Sequence, residues 1–295
     1  MTRPARRKRR SRRSSVLGVP TRQEMAEIEE SARLYEEHGA LVMTAVVING
    51  VAEGRPSRTQ VTFVLTKTYL VSVRYADPVP FRTFEAKCQR QPEAHTSSDR
   101  ILISLLESIV ERAADVLEMV AADLNEVSTR LFIEDGPRRK PKRVEDELQV
   151  LIKRLGRKNM TVAILRESLL SLTRLIPFVR QGAEGWLTNG SPARLKQLDR
   201  DLRSLSTYEA QLSSEIVYLH EATLGLINLD QNRIIKVFSI AAVLFLPPTL
   251  VGTIYGMNFE VMPELKLAFG YPFALGLMVL SAVLPYYWFK RRGWL

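Results

Sequence analysis

The sequence predicts a mostly α-helical membrane protein with a small N-terminal α/β domain, a stalk of long helices and two C-terminal transmembrane helices. Three observations support this fold class. Two uncharged runs of 23 residues each, 237–259 and 267–289, lie near the C-terminus. Apolar residues recur at intervals of three and four between Ser97 and the first run, as in amphipathic helices. Residues 41–75 are rich in Val, Thr and Tyr, which favour strands.

Most of the net charge of +10 is located in the N-terminal tail and not in the rest of the protein. Eight Lys and Arg residues, and no acidic residue, lie within the first 13 positions, so the rest of the chain carries about +2. Residues 1–20 are therefore predicted to be a basic disordered tail, and a nucleic-acid partner is not expected. A single cysteine and three scattered histidines exclude a disulfide framework and a multi-Cys metal site. No nucleophile–base set or phosphate loop indicates an enzyme.

Residues 21–96 are predicted to form the α/β domain. The segment 22–37 resembles a short acidic helix, and the segments 41–49 and 61–75 resemble strands. A small helix is expected over 80–91.

Residues 97–233 are predicted to form the stalk. One helix begins near Ser97 and is broken by the segment 134–142, which contains one glycine and two prolines. A second helix follows and ends in the loop 181–190, so the two helices should be antiparallel. A third helix, predicted to begin at Pro192 after a Ser N-cap, has no strong break before Tyr255. Its apolar face should pack on the antiparallel pair.

Residues 234–289 are predicted to form a membrane hairpin, with spans at about 235–255 and 269–289. A run of 23 residues is about 34 Å long as a helix, which is enough to cross a hydrocarbon core of about 30 Å. Basic residues lie before the first span and after the second span, where residues 290–295 form a basic tail. The positive-inside rule then places both termini in the cytoplasm and the connecting loop outside.

A second stripe on the third helix is small and polar rather than apolar. In the first span it comprises Thr253, Thr249, Leu246, Ala242, Ser239, Ile235 and Asn232. It continues toward the N-terminus with Glu221 as its one acidic residue. The stripe could be an ordinary solvated face. Because it enters the membrane, where polar groups need a cavity or a partner, we favour a pore-lining face shared by several copies of the chain.

The first span ends in Tyr255-Gly-Met-Asn-Phe259, followed by Glu-Val-Met-Pro-Glu-Leu265. This sequence resembles the CorA family of magnesium transporters, whose signature is Gly-Met-Asn at the outer end of the first of two spans. The tail YYWFKRRGWL is similar to the enterobacterial branch. The close resemblance covers about residues 230–295, and the helical region 97–229 agrees in layout only.

The resemblance implies a homopentameric funnel in the bacterial inner membrane that admits Mg²⁺, and also Co²⁺ or Ni²⁺. Gly256, Met257 and Asn258 would form the selectivity filter, and Phe238 would join the pore-lining stripe. In the family, cytoplasmic Mg²⁺ also closes the pore, and Glu221 is the candidate on the long helix for this regulatory metal.

The chemistry of the residues agrees with these implications. Asn258 amide oxygens could accept hydrogen bonds from the water shell of Mg²⁺, which is given up reluctantly. Glu260 and Glu264 could attract cations to the mouth, although loop solubility would explain them equally well. Leu246 and Ile235 could close the pore by dewetting.

Two alternative functions stay open at this point. One is a zinc transporter on the same scaffold, and the other is a membrane-anchored coiled-coil protein that transports nothing. The chain also departs from the family, because an Arg-rich stretch stands where the α/β domain usually has its first strands. The α/β domain is therefore expected to be partial.

Overall fold

The computed structural model describes residues 20–25, 29, 33–132, 141–257, 263 and 269–292. The chain divides into two compact units, residues 1–221 and 222–295. This division falls within the long third helix, twelve residues before the boundary predicted between stalk and membrane hairpin, so that predicted boundary stays a prediction. The basic tail lies outside the described residues, apart from its last position.

The first unit contains a four-stranded antiparallel sheet, preceded by the short helix α1 (Arg22–Met25). Strands β1 (Leu34–Glu37), β2 (Ala40–Asn49), β3 (Ser57–Leu65) and β4 (Leu70–Arg74) pair in sequence order. Strand β2 is buried along almost its whole length, and Thr44 and Thr62 face each other across β2 and β3 with their hydroxyl oxygens 2.7 Å apart.

Two predictions in this domain were wrong. Residues 34–37 were predicted to be helical, but they pair with β2 through a two-residue turn in which His38 and Gly39 have φ angles of 54° and 74°. Positive φ at both positions matches the twist of a β-hairpin. The predicted strand 61–75 is two strands. Thr66 and Tyr69 form the turn between them, in which the Thr66 N–H donates to the Tyr69 carbonyl at 3.0 Å.

In the described part of the chain, five helices follow the sheet. The first four are α2 (Val79–Arg90), α3 (Ser98–Phe132), α4 (Pro141–Gly182) and α5 (Ser191–Tyr255), with a 3₁₀ turn at Pro92–His95. The helix predicted over 80–91 and the three predicted long helices are confirmed. Helix α5 has 65 residues and is therefore about 97 Å long. The predicted apolar stripes are buried, for example Leu106 on α3, Leu165 on α4 and Leu202 on α5, each 0% exposed.

Helix α4 packs on the sheet and supplies hydrogen bonds to one residue of β2, Val46. Among the described residues, strand β1 pairs with residues 40–43 of β2, and no strand pairs with the next part of that edge. Ser171 Oγ accepts a hydrogen bond from the Val46 N–H at 3.0 Å, and Ser168 Oγ donates to the Val46 carbonyl at 2.7 Å. The edge is thus covered by side chains of a helix, which removes a site for unwanted strand pairing.

Ion pairs join α5 to the antiparallel pair. Arg194 on α5 forms two hydrogen bonds with Glu107 on α3, at 2.9 and 2.6 Å. Arg166 on α4 donates to both carboxylate oxygens of Glu209 on α5, a residue that is only 3% exposed. Paired arginine and carboxylate groups can be buried at helix contacts because each satisfies the other.

The second unit is a helical hairpin made of the C-terminal part of α5 and helix α6 (Gly270–Arg291). A Cβ atom at Gly252 would lie 3.1 Å from Met278 Cε, and Val243 shares a groove with Tyr287 and Trp288. Earlier residues of α5 therefore face later residues of α6, so the two helices are antiparallel. By length and composition both helices could cross a membrane, with mean hydropathies of 2.1 and 1.5.

Candidate functional site

The predicted polar stripe lies on the face of α5 opposite α6. The half-buried residues of α5 in the second unit include Leu244, Pro248, Val251 and Tyr255. Each member of this series follows one stripe residue by two positions, which is a rotation of about 200° around a helix. The stripe members concerned are Ala242, Leu246, Thr249 and Thr253, and all four are exposed.

Exposure alone does not distinguish the stripe. Phe245 and Leu250 lie outside it, and they are 70% and 60% exposed. What distinguishes the stripe is its position opposite α6 together with its composition, because α6 covers one side of α5 and leaves the other free. The remaining predicted pore-lining residues, Asn232, Ile235, Phe238 and Ser239, are exposed as well.

Two threonines of the stripe present oxygen lone pairs. Thr249 Oγ1 donates to the Phe245 carbonyl at 2.8 Å, and Thr253 Oγ1 donates to the Thr249 carbonyl at 2.8 Å. Because each hydroxyl hydrogen is used within the helix, the oxygen is left as an acceptor. Such oxygens can accept hydrogen bonds from the water molecules around a cation.

The Gly-Met-Asn motif begins directly after the end of α5. The helix ends at Tyr255, and the N–H of Gly256 reaches the carbonyls of Gly252 at 3.0 Å and Thr253 at 3.2 Å. The Met257 N–H reaches the Ile254 carbonyl at 3.3 Å. The C-terminal end of a helix carries a partial negative charge, which favours a cation at this position. The third member of the motif, Asn258, lies outside the described residues.

Large apolar side chains interrupt the stripe at two levels. Leu246 is 67% exposed and Ile235 is 61% exposed. Eleven residues separate them along α5, which corresponds to about 16 Å along the axis. A ring of such side chains around an axis would form a narrow apolar constriction, which ions cross only when it is wetted.

Of the three acidic residues predicted to attract or bind cations, the structure describes only Glu221. Glu260 and Glu264 lie outside the described residues. Glu221 is exposed at the end of the first unit. Within the described part of the chain, no three His, Cys, Asp or Glu side chains come together as a metal site.

The sequence analysis missed a buried carboxylate that fixes the start of α5. Asp99 is 2% exposed, and its Oδ2 accepts hydrogen bonds at 2.8 Å from the Thr188 N–H, the Thr188 hydroxyl and the Ser191 hydroxyl. Burial raises the pKa of Asp99, but hydrogen bonding by Thr188 and Ser191 outweighs it and lowers the pKa from 3.8 to about 2. The sequence offers no local signal for this cluster, because its members lie about ninety residues apart.

A second missed cluster joins α3 and α4. Arg154 donates to Asp123 at 3.2 and 2.6 Å and also bonds Glu126, and Lys158 lies 2.9 Å from Asp123. The hydrogen bond from Arg154 lowers the pKa of Asp123, against the effect of burial. These ion pairs join α3 to α4, the helix pair on which α5 packs.

Comparison with known proteins extends the resemblance far beyond residues 230–295. The family described as CorA-like Mg²⁺ transporter protein matches residues 8–291. The magnesium transport proteins CorA of Salmonella typhimurium (strain LT2) and Escherichia coli (strain K12) are each 34% identical over 288 residues, which cover 97% of this chain and 88% of theirs. The expectation that residues 97–229 agree in layout only was therefore wrong.

Solved structures agree in fold. The complete CorA magnesium transporter from Methanocaldococcus jannaschii superposes with a TM-score of 0.72 at 17% identity, covering 89% of this chain and 80% of that one. The full-length CmaX protein superposes with a TM-score of 0.64 at 17% identity, covering 89% and 78%. With the family match over nearly the whole length and the shared architecture of small sheet domain, long helices and apolar hairpin, the chain belongs to the CorA family.

Proposed function

We propose that this chain is a passive Mg²⁺ channel-transporter of the bacterial inner membrane, driven by the membrane potential. Its relatives named as magnesium transport proteins match along 97% of its length. The observation on which the proposal depends is the position of the polar stripe on the side of α5 that α6 leaves free. Five copies arranged with α5 innermost would turn these stripes toward one axis and enclose a water-filled path.

The ion is proposed to pass in hydrated form. Gly256, Met257 and Asn258 would form the outer ring, where the Asn258 amide and the negative end of α5 favour a cation with its water shell. Thr253 and Thr249 would follow with hydroxyl oxygens as acceptors. The ring would bind the water shell of a divalent ion and not the dehydrated ion itself. Co²⁺ and Ni²⁺ would therefore also pass.

The lower part of the pore is proposed to act as the gate. In this part of the pore, rings of large apolar side chains would alternate with rings of small or polar ones. The residues concerned are Leu246, Ala242, Ser239, Phe238, Ile235 and Asn232. Glu260 and Glu264 at the mouth would raise the local cation concentration. Binding of cytoplasmic Mg²⁺ would keep the pore closed, with Glu221 as the candidate ligand on α5. Both termini would lie in the cytoplasm.

The experiment is Mg²⁺ influx into proteoliposomes under an inside-negative potential. Asn258→Ala should abolish most of the flux, because each subunit loses its amide acceptor at the ring. Asn189→Ala is the matched control, since Asn189 is an exposed asparagine in the first unit and should leave flux unchanged. Undiminished flux in Asn258→Ala would refute the selectivity assignment.

Two further measurements separate the alternatives. Competition with Zn²⁺ tests a zinc transporter, which neither span favours, since residues 235–289 contain no His or Cys. The mass of the purified protein in detergent tests a non-transporting anchored coiled coil, which would be a monomer or dimer without ion flux. A pentamer with Mg²⁺ flux unaffected by Zn²⁺ supports the proposal.

A further inference from the structure

A groove between α5 and α6 lies at the end of the hairpin away from the Gly-Met-Asn motif. Its volume of about 620 Å³ is within the range of small-molecule sites, about 300–1,000 Å³. Val243 forms its wall on α5, and Leu284, Tyr287, Trp288 and Arg291 line it on α6. The groove is open along its length, so it resembles a slot on the side of the hairpin rather than an enclosed cavity.

The polarity of the groove changes regularly along α6. Leu284, Tyr287, Trp288 and Arg291 are spaced i, i+3, i+4 and i+7, so they form one face of the helix. The face begins with an aliphatic side chain, continues with two aromatic side chains that suit the membrane interface, and ends in a cation. A phospholipid has the same order of polarity, from its acyl chain to its phosphate.

The aromatic part of this face is held in place. The rings of Trp288 and Phe289 lie 5.2 Å apart in an edge-to-face arrangement, and Phe289 is 6% exposed. The guanidinium carbon of Arg292 lies 5.2 Å from the centre of the Trp288 ring. A ring fixed by such contacts loses little freedom when a ligand packs on it.

In the described parts of the hairpin, residues 231–257 and 269–292, no acidic side chain is present to neutralise the positive charge at the end of the groove. No Asp or Glu follows Glu264 in the sequence, and none lies between Asp230 and Glu260. The spans of a second copy, residues 235–255 and 270–289, could therefore fill the apolar part of the groove, but they carry no acidic side chain to pair with Arg291. A lipid phosphate can do both, and basic pockets between helices on the cytoplasmic side are suited to anionic lipids.

We infer that the groove binds an anionic glycerophospholipid, with one acyl chain against Val243 and Leu284 and its headgroup phosphate at Arg291. Binding would hold the C-terminal end of α6 against α5 at the cytoplasmic side. The inference depends on the membrane insertion of the hairpin that the proposed function includes, but it does not depend on ion conduction.

The test uses Trp288 as the reporter in the full-length chain. Trp186→Phe and Trp294→Phe leave Trp288 as the single tryptophan. The chain is reconstituted in phosphatidylcholine vesicles that contain a small, equal fraction of acyl-brominated phosphatidylglycerol or acyl-brominated phosphatidylcholine. Bromine quenches tryptophan fluorescence only in contact, so stronger quenching by the anionic lipid measures its preference for the groove.

Arg291→Gln should lower this preference about fivefold, the effect of about one basic contact at the membrane surface. Arg233→Gln removes the same charge from α5 outside the groove and should leave the preference unchanged. Val243→Phe narrows the groove from the other helix and should reduce quenching by both brominated lipids.

Equal quenching by the two lipids in the unsubstituted reporter, or an unchanged preference in Arg291→Gln, would overturn the inference. Weak quenching by both lipids in the unsubstituted reporter, together with a changed oligomer mass in Val243→Phe, would also overturn it. A second copy of the chain would then cover the groove. Absence of Mg²⁺ flux with the lipid preference retained would refute the proposed function and leave this inference supported.

Discussion

Removal of the Asp99 charge should destabilise the first unit at neutral pH and have little effect in acid. The Asp99→Asn substitution keeps the size of the side chain and its carbonyl oxygen, but it replaces three charge-assisted hydrogen bonds with neutral ones. Because these bonds join Thr188 and Ser191 to α3, the substitution loosens the start of α5.

The size of the effect follows from the pKa of Asp99. Hydrogen bonding to the buried carboxylate lowers it from 3.8 to about 2, and about 1.4 kcal/mol per pKa unit gives about 2 kcal/mol of unfolding free energy. A lowered pKa stabilises the folded state above the unfolded pKa, and this contribution is lost as the pH falls through the folded pKa. It should be complete above about pH 5, reduced to about half near pH 3 and almost gone at pH 2.

The assay is urea unfolding of the full chain in detergent, with Trp288→Phe and Trp294→Phe so that the fluorescence reports on Trp186, which lies two residues before Thr188. Asp115→Asn is the control, since this aspartate side chain is 64% exposed and its nearest cation is 4.0 Å away. The control should change stability by less than about 0.5 kcal/mol. An equal effect of both substitutions at pH 7, or a loss in Asp99→Asn that persists at pH 2, would refute the reasoning.

Three further predictions concern packing and ion pairing. Leu106→Ala should cost about 2–5 kcal/mol of unfolding free energy, because the side chain is fully buried on α3, and urea unfolding measures it. Arg154→Met should cost about 1–3 kcal/mol at pH 7 and less in acid, since the lowered pKa of Asp123 depends first on its hydrogen bond from Arg154. A pH series of unfolding curves without that decrease would contradict the argument. Gly252→Ala should leave the oligomer mass unchanged, because the new methyl meets only the flexible end of Met278 at 3.1 Å, whereas Gly252→Leu should reduce assembly.

The helical part of the fold could be predicted from the sequence because its signal is local and repeated. Apolar residues at intervals of three and four identified α3, α4 and α5, and Ser191 with Pro192 marked the start of α5. The hairpin between β1 and β2 was missed because Glu36 and Glu37 favour a helix and the turn residues His38 and Gly39 do not form a common turn signal.

The candidate pore face was predictable for a similar reason. Its residues recur along one helix, so periodicity alone placed them on one side of α5, and the structure adds that α6 covers the opposite side. The Asp99 cluster and the hydrogen bond between the Val46 N–H and the Ser171 hydroxyl could not be predicted in this way. Their partners lie 89 and 125 residues apart in the chain, and a lone Asp or Ser has no pattern that reveals such a distant contact.

In the proposed pore, closure would act through α5. The boundary between the two compact units falls within this helix, so the proposed regulatory residue Glu221 and the proposed pore-lining residues belong to the same helix. Pro247 and Pro248 are its only prolines after the first turn, and they deprive the carbonyls of Val243 and Leu244 of their usual N–H donors. Bending of α5 is therefore easiest beside Leu246, the most exposed apolar residue of the stripe after Phe238, and in the proposed pore a small movement there would change the width of the apolar ring.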